Sequence, residues 1–302
     1  MKLSVVVPCY NEAVNVSEFE SELSKVLLKE KITYEIIFID DGSTDDTYSK
    51  LSSLNKANKN VKVIRFSRNF GKESAMLAGL KNASGSYVAI MDADLQHTPE
   101  MLVLMYKKLI NDDSFDCCCA YKSNREDEGS LKRTLTSLFY KINNKISDVK
   151  LLPGASDFRV FKKSVCDAIT SLDEKTRFLK GMFSWVGFNT IYVPYMPEKR
   201  MYGTSKWSLF KLLKYSLGGI ISFSTKPIKS VFIIGVVALI VGLLNFILMG
   251  NLANRTIILF ISFIMLQLGI ISLYVSRIYS NILNRPCYII KEKLGFNDKS
   301  LK

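Results

Sequence analysis

The sequence predicts an α/β fold, a mostly parallel sheet with helices on both faces, followed by a hairpin of two membrane-crossing helices. Short runs rich in β-branched residues alternate with stretches of helical periodicity through the first 120 residues, which predicts the sheet. Two long apolar runs near the C-terminus predict the hairpin. The chain has 302 residues, 48% hydrophobic and 23% charged, so it can build a large core and is unlike disordered or fibrous chains.

Five strands and four helices are predicted in alternation within the first 120 residues. The strands span residues 3–7, 35–40, 62–66, 87–92 and 116–120. The helices span residues 14–28, 45–55, 72–82 and 99–111. Strand-helix-strand units of this kind form a parallel sheet covered on both faces. Ligands of such sheets bind at the carboxyl ends of the strands, so the residues after each strand are the candidates for function.

Aromatic, acidic and basic side chains follow each of the first four predicted strands. The segments are Pro-Cys-Tyr-Asn-Glu from residue 8, Asp-Asp-Gly-Ser-Thr-Asp from residue 40, Ser-Arg-Asn-Phe-Gly-Lys from residue 67 and Asp-Ala-Asp-Leu-Gln-His from residue 92. Each alone could be a turn with a helix cap, but four at one sheet edge indicate a ligand site. In a nucleotide site, carboxylates can accept hydrogen bonds from the base and the ribose. An Asp-x-Asp pair suits Mg²⁺ or Mn²⁺ that also binds the diphosphate.

Several common enzyme classes are excluded by composition. The only His is His97 and no Cys-x-x-Cys pair occurs among the six Cys, which argues against a zinc site and against Ser-His-Asp or Cys-His catalysis. No strand is followed by the glycine-rich motif of dinucleotide-binding proteins, and Gly71-Lys72 lacks the rest of a P-loop. The three consecutive cysteines at 117–119 predict a buried strand.

About half of the net charge of +13 comes from the C-terminal quarter of the chain. Residues 226–302 hold nine basic and two acidic side chains around the apolar runs 231–249 and 256–276. Each run would form about 30 Å of helix, the thickness of a bilayer core. Basic residues flank the pair while the linker 250–255 carries one positive charge, so the positive-inside rule predicts that both outer flanks are cytoplasmic. This distribution disfavours a nucleic-acid partner, and no nucleic-acid motif occurs.

The prediction therefore divides the chain into four parts. Residues 1–200 form a cytoplasmic domain, 201–227 juxtamembrane amphipathic helices, 228–280 the transmembrane hairpin and 281–302 a cytoplasmic tail. No signal peptide is expected, because the chain runs from Met1 straight into a strand pattern. Residues 199–229 carry seven basic side chains and no acidic one, with an apolar helical stripe typical of a helix in the membrane interface. The stripe consists of Leu209, Phe210, Leu213, Leu217, Ile220 and Ile221.

Further motifs complete an ordered set along the chain. They are Asp-Phe-Arg from residue 157, Arg200 with Gly-Thr-Ser-Lys from residue 203, and Ser-Phe-Ser from residue 222. With the four segments above, this set resembles the inverting glycosyltransferases of family 2, which have the nucleotide-sugar-binding fold called GT-A. It is most similar to the branch that uses polyprenyl phosphates, which contains dolichol-phosphate mannose synthases and bactoprenol (undecaprenyl-phosphate) glucosyltransferases. The similarity covers nearly the whole chain.

The resemblance implies a role for each matching position. The positions implied to bind the nucleotide-sugar are Pro8, Tyr10, Glu12, Ile39, Asp41, Lys72, Asp92 and Ala93. The positions implied to hold a divalent metal, Mg²⁺ or Mn²⁺, are Asp92, Asp94 and Gln96. Asp157 corresponds to the family's catalytic carboxylate. The positions implied to bind phosphates or the acceptor are Lys122 or Arg125, with Arg133 as a second contact, and Arg200 and Lys206.

The expected reaction is transfer of a hexose, first of all glucose, from a UDP-sugar to undecaprenyl phosphate on the cytoplasmic leaflet. Its product would be a lipid monophosphate sugar, a donor for cell-envelope glycosylation. A phosphate monoester is mostly dianionic at neutral pH, so Asp157 need not act as a base. Alternatives are transfer of N-acetylglucosamine or another sugar, another lipid acceptor, or a non-catalytic nucleotide-sugar-binding membrane protein. A homo-oligomer is also expected from the resemblance.

Overall fold

The computed structural model describes residues 2–122, 130–175, 177–196, 218–248 and 253–296. The strands are β1 (Lys2–Cys9), β2 (Thr33–Asp40), β3 (Val61–Phe66), β4 (Tyr87–Ile90), β5 (Cys117–Lys122), β6 (Ala155–Lys162), β7 (Thr190–Tyr195) and β8 (Ile290–Leu294). The helices are α1 (Val16–Lys29), α2 (Thr47–Ala57), α3 (Lys72–Asn82), α4 (Pro99–Asn111), α5 (Ser130–Ile146), α6 (Lys163–Ser171), α7 (Leu179–Trp185), α8 (Lys226–Leu248) and α9 (Ala253–Ile282). Every strand and helix predicted in the first 120 residues is present, with bounds shifted by a few residues.

The described strands form one mixed sheet in the order β7-β5-β6-β4-β1-β2-β3-β8. β1 to β4 are parallel neighbours in the order 4-1-2-3, as the strand-helix alternation predicts. β6 lies between β4 and β5 and is antiparallel to both, which makes the sheet mixed. Ile90 of β4 pairs with Arg159 of β6, so the start of β6 lies beside the carboxyl end of β4. This insertion brings Asp157 to the predicted ligand edge.

A hydrophobic core covers each face of the sheet. On one face α1, α2 and α4 contribute buried residues such as Phe19, Leu51 and Leu102. On the other, α3, α6 and α7 pack on the sheet, and α3 residues 75–80 are all buried. The cysteines at 117–119 are buried in β5, as the sequence predicts, and all six cysteines are free. Side chains of the parallel strands are therefore buried on both faces, which leaves the strand ends for function.

Helices form over both predicted apolar runs. Within the described part of the chain, the segment that is long and apolar enough to cross a membrane is Phe263–Ile282 in α9. Many described side chains of α8 and α9 are exposed, including Ile233 and Leu266. An exposed apolar helix of this length is compatible with membrane association.

The chain returns to the sheet after α9, which the sequence patterns do not predict. β8 pairs antiparallel with β3, and the Tyr288 ring stacks on Phe66 with 5.0 Å between ring centroids. The Ser67 amide donates to the Ile289 carbonyl at 3.0 Å. Residues 290–294 of the predicted tail thus belong to the α/β domain, next to the loop that leads into α3.

Candidate active site

The loops after β1 and β2 are joined by hydrogen bonds. Asn11 adopts a left-handed conformation with φ of 54°, and its side-chain oxygen accepts from the Thr44 amide at 2.9 Å. The Asn11 amide donates to the Ser43 hydroxyl at 3.0 Å. The predicted nucleoside-binding residue Tyr10, next to Asn11, has 38% of its surface exposed. Pro8 and Glu12 of the same segment are partly exposed.

Asp41 holds the loop after β3 against the loop after β2. Its two carboxylate oxygens accept from the Phe70 amide at 2.7 Å and from the Gly71 amide at 2.9 Å. Burial raises the pKa of Asp41 to about 6 and Asp40 adds to the shift, while the two amide donors oppose it. The loop lies so close that a side chain at Gly42 would collide with the Arg68 backbone. This packing fixes the position from which Lys72 starts α3.

Lys72 connects the ends of two different strands. Its ammonium lies 2.7 Å from an oxygen of Asp92, after β4, and 3.2 Å from Oδ2 of Asp157, in β6. All three side chains are partly exposed, with 34%, 31% and 21% of their surfaces open to solvent respectively. The structure therefore brings together three of the predicted site residues that lie far apart in sequence.

The electrostatics of this cluster keep Asp157 ionised. Burial alone would raise the pKa of Asp157, but Lys180 and Lys72 hold that pKa well below its usual range. Burial alone would likewise lower the pKa of Lys72, but Asp92 and Asp157 raise it. A carboxylate with such a depressed pKa is a weak base and a fixed negative charge. It suits stabilisation of positive charge better than removal of a proton.

Asp92, Asp94 and Gln96 follow β4 in a tight loop. Leu95 has φ of 57°, and the Gln96 amide donates to an oxygen of Asp94 at 3.2 Å. No cluster of three or more His, Cys, Asp or Glu side chains placed to hold a metal occurs in the described ranges. Two carboxylates and one amide are nonetheless hard oxygen donors, which suit Mg²⁺ or Mn²⁺ when diphosphate and water complete the shell. These residues fit a divalent cation held jointly with a substrate.

His97 is buried behind this loop. Its Nε2 lies 3.0 Å from the Tyr195 hydroxyl and 3.4 Å from the Ser156 hydroxyl, next to Asp157 in the chain. Burial lowers the pKa of His97, although the site carboxylates oppose the shift. The imidazole therefore links the loop after β4 to β6 and β7 as a neutral hydrogen-bonding group.

Lys180 is a site residue that the sequence patterns do not reveal. It lies in α7, with its ammonium 3.9 Å from Oδ1 of Asp157 and 3.0 Å from the Ala155 carbonyl to which it donates. The helix has seven residues, too few for a clear periodicity, and no strand precedes it directly. Basic character alone gives no reason to single out this lysine.

Three of the residues predicted to bind the nucleotide-sugar have buried side chains: Asp41, whose carboxylate holds the loop after β3, and the apolar Ile39 and Ala93. Ile39 is fully buried and its side chain packs toward α3, while Ala93 is 3% exposed. Both belong to the hydrophobic cores, so a contact with a nucleotide at these positions would have to come from backbone groups.

The predicted phosphate ligands are described only in part. Lys122 ends β5 at the same edge, and its amide donates to the Gly154 carbonyl. Arg125, Arg200 and Lys206 lie outside what the structure describes, as does the Arg133 side chain. The same holds for residues 201–217 of the predicted juxtamembrane helices.

Comparisons with known proteins place these features in a family. The family model described as glycosyl transferase family 2 matches residues 4–170. An uncharacterised glycosyltransferase of Synechocystis is 35% identical, with 98% of this chain and 96% of that protein covered. A prophage-derived bactoprenol glucosyl transferase of Shigella flexneri is 36% identical, with 97% and 98% covered. Among solved structures, a glucosyl-3-phosphoglycerate synthase of Mycobacterium tuberculosis shares the fold, with a TM-score of 0.51 at 18% identity over 73% of this chain and 77% of that one.

Proposed function

The chain belongs to the family 2 glycosyltransferases, and from this we propose that it transfers glucose from UDP-glucose to undecaprenyl phosphate with inversion at the anomeric carbon. The observation that carries the proposal is the cluster of Asp92, Lys72 and Asp157 at the carboxyl edge of the sheet. The Shigella relative, similar over nearly its full length, is named a bactoprenol glucosyl transferase. The product would be a lipid monophosphate sugar that serves as donor for glycosylation of the cell envelope.

The donor would bind across the loops after β1, β2 and β4. The exposed Tyr10 ring offers a face for uracil, and the Glu12 carboxylate offers acceptors for hydrogen bonds from base and ribose. The buried Asp41 would support this part of the site by holding the loop after β3 in place. Asp92, Asp94 and Gln96 would hold Mg²⁺ or Mn²⁺, which would offset the negative charge on the UDP leaving group. The mycobacterial fold relative was crystallised in complex with Mn²⁺ and UDP-glucose. Lys72 provides a second positive charge near the same diphosphate.

The role of Asp157 follows from its low pKa and from the chemistry of the acceptor. A phosphate monoester has a second pKa of about 6 and arrives at neutral pH already ionised. Asp157 therefore stabilises positive charge at the anomeric carbon and orients the acceptor, with no proton to remove. Lys122, Arg125, Arg133, Arg200 and Lys206 remain proposed ligands of the phosphates.

We also propose that α8 and α9 form a two-helix membrane anchor with the domain on the cytoplasmic side. The segment before α8 is tied to the domain, since the Ser224 hydroxyl donates to the Ile146 carbonyl at 2.5 Å. After α9 the chain returns to the same sheet as β8. Both ends of the helix pair are thus held on the domain side, which a hairpin with both flanks cytoplasmic requires. Residues 201–227 would lie in the interface, and a homo-oligomer is part of the same proposal.

The test is a transfer assay on membranes that contain the full chain. Radiolabelled UDP-glucose, UDP-N-acetylglucosamine and GDP-mannose are each incubated with undecaprenyl phosphate, with and without EDTA. We expect label in the lipid fraction from UDP-glucose, none after EDTA, and label at a rate about 10²- to 10³-fold lower with Asp157→Asn. If label appears only with another donor, the transferred sugar is that donor's sugar and not glucose. No label from any donor would favour a nucleotide-sugar-binding protein without transferase activity.

A further inference from the structure

The two oxygens of Asp157 face different lysines. Oδ2 contacts Lys72, which also contacts Asp92 on the donor side of the site. Oδ1 lies 3.9 Å from Lys180, which comes from α7. The donor diphosphate belongs with Asp92 and Lys72 in the proposed function. The oxygen that faces Lys180 is therefore not the one paired with the donor-side lysine.

The helix that carries Lys180 packs on the segment that enters the helix pair. Phe178, just before α7, lies 6.3 Å from Phe223 between ring centroids. A side chain at Gly181 would collide with the Phe223 ring, so helix and segment are in close contact. Only two residues separate Phe223 from the start of α8 at Lys226. Lys180 therefore belongs to a helix that contacts both Asp157 and the segment leading into the part of the molecule that we propose to enter the membrane.

A dianionic acceptor cannot approach Asp157 without a cation beside it. Two like charges a few ångströms apart repel strongly at a partly desolvated site. An ammonium can donate three hydrogen bonds, and Lys180 donates one of them to the Ala155 carbonyl. The exposed fraction of the Lys180 side chain is 24%, so a ligand can reach it. A charge-assisted hydrogen bond from this ammonium to a phosphate would offset the repulsion.

We propose that Lys180 binds the phosphate of the lipid acceptor and holds it beside the anomeric carbon; this rests on the proposed function. In the reaction a phosphate oxygen forms a bond to the anomeric carbon with its own electron pair. The bond from that carbon to the β-phosphate oxygen breaks, and UDP leaves with the bonding pair. No proton is transferred, so Lys180 stays charged throughout. The chemical class bound at Lys180 is a phosphate monoester on a lipid chain.

The test separates acceptor binding from donor binding in full-length protein in detergent. Lys180→Met is compared with wild type, with Lys180→Arg and with Lys163→Met, a matched lysine on α6 paired with Asp167 at 3.1 Å. We expect Lys180→Met to raise the KM for undecaprenyl phosphate about tenfold to a hundredfold, as loss of a charge-assisted hydrogen bond implies. The Kd for UDP-glucose should change less than about twofold. Lys180→Arg should recover most of the acceptor KM, and Lys163→Met should match wild type.

Other outcomes have distinct meanings. An unchanged acceptor KM in Lys180→Met, with active wild type, would overturn the inference and leave the proposed function intact. A weaker Kd for UDP-glucose with unchanged acceptor KM would assign Lys180 to the donor and equally overturn it. A lower melting temperature with loss of kcat alone would show a structural role through Ala155, which also overturns it. Wild type that transfers nothing to undecaprenyl phosphate would instead refute the proposed function itself.

Discussion

The carboxylate of Asp41 should make the stability of the domain depend on pH in a way that Asp41→Asn removes. Asp41 is 3% exposed, and its pKa is raised by burial to about 6 from the ordinary 3.8. Because the pKa is higher in the folded than in the unfolded chain, the stabilising contribution is complete below about pH 4. It is lost as pH rises through about 6.

The size of the effect follows from the shift. A difference of about two pKa units at about 1.4 kcal/mol per unit corresponds to about 3 kcal/mol. For a chain of this size, that is a difference of roughly 5–10 °C in melting temperature between the ends of the pH window. Asparagine also presents one oxygen where the Phe70 and Gly71 amides require two acceptors. The variant should therefore be about 1–3 kcal/mol less stable than wild type at low pH. Above about pH 6 this deficit should vanish or reverse, because wild type has by then lost about 3 kcal/mol and the variant has not.

The assay is thermal unfolding in detergent between pH 4 and pH 7.5, followed by tryptophan fluorescence. The quantity of interest is the difference in melting temperature between wild type and Asp41→Asn at each pH. We expect this difference to be largest near pH 4 and to shrink as pH rises through about 6. Asp46→Asn, at an exposed position of the same loop, is the matched control and should follow the wild-type curve. A difference that stays constant from pH 4 to pH 7.5 would refute the assignment of a raised pKa to Asp41.

Three further predictions test the site and its scaffold. Asp92→Ala or Asp94→Ala should abolish transfer because metal is lost; full turnover of either at saturating Mn²⁺ would contradict the metal assignment. Asp157→Asn should lower kcat about 10²- to 10³-fold while the Kd for UDP-glucose, measured by calorimetry, stays unchanged; an equal loss of donor affinity would count against a catalytic role. Burial opposes ionisation of Glu35, but lysine and serine donors lower its pKa to about 2, so Glu35→Gln should cost about 3 kcal/mol at pH 7. That stability should disappear as pH falls from about 4.5 toward 2, whereas Glu30→Gln, whose partner Lys107 is exposed, should change the melting temperature little.

Sequence patterns were sufficient for the first half of the domain. β-branched runs and helical periodicity predict every element up to residue 120, because the strands are largely buried on both faces and helices such as α1 and α4 on one. The rule that ligands bind at carboxyl ends then groups Asp41, Lys72 and Asp92 at one edge, where the structure places them. The burial of the Ile39 and Ala93 side chains was not foreseen, since a residue beside a polar motif can still point into the core.

Order and direction of strands beyond β4 could not be read from local patterns. β6 follows a long stretch of chain and enters the sheet between β4 and β5, and its own residues do not specify these two neighbours. The same holds for β8, which pairs with β3 after more than 200 residues of intervening chain. Pairing over such separations depends on tertiary packing, and no periodicity within the strand encodes its partner.

The sequence by itself determined that the chain is an α/β protein with long apolar C-terminal helices. It also placed polar segments, among them an Asp-x-Asp pair, at the carboxyl ends of the first four strands. These features depend on residue type and on spacing within a few turns or strands, so they can be predicted from the sequence alone. Only the tertiary structure decided that Lys72 stands between Asp92 and Asp157, that Lys180 faces the other oxygen of Asp157, and that the C-terminal strand returns to the sheet. The physical reason is that charge pairing at the site joins side chains from separate strands and helices, and their distances are set by the packing of the whole sheet.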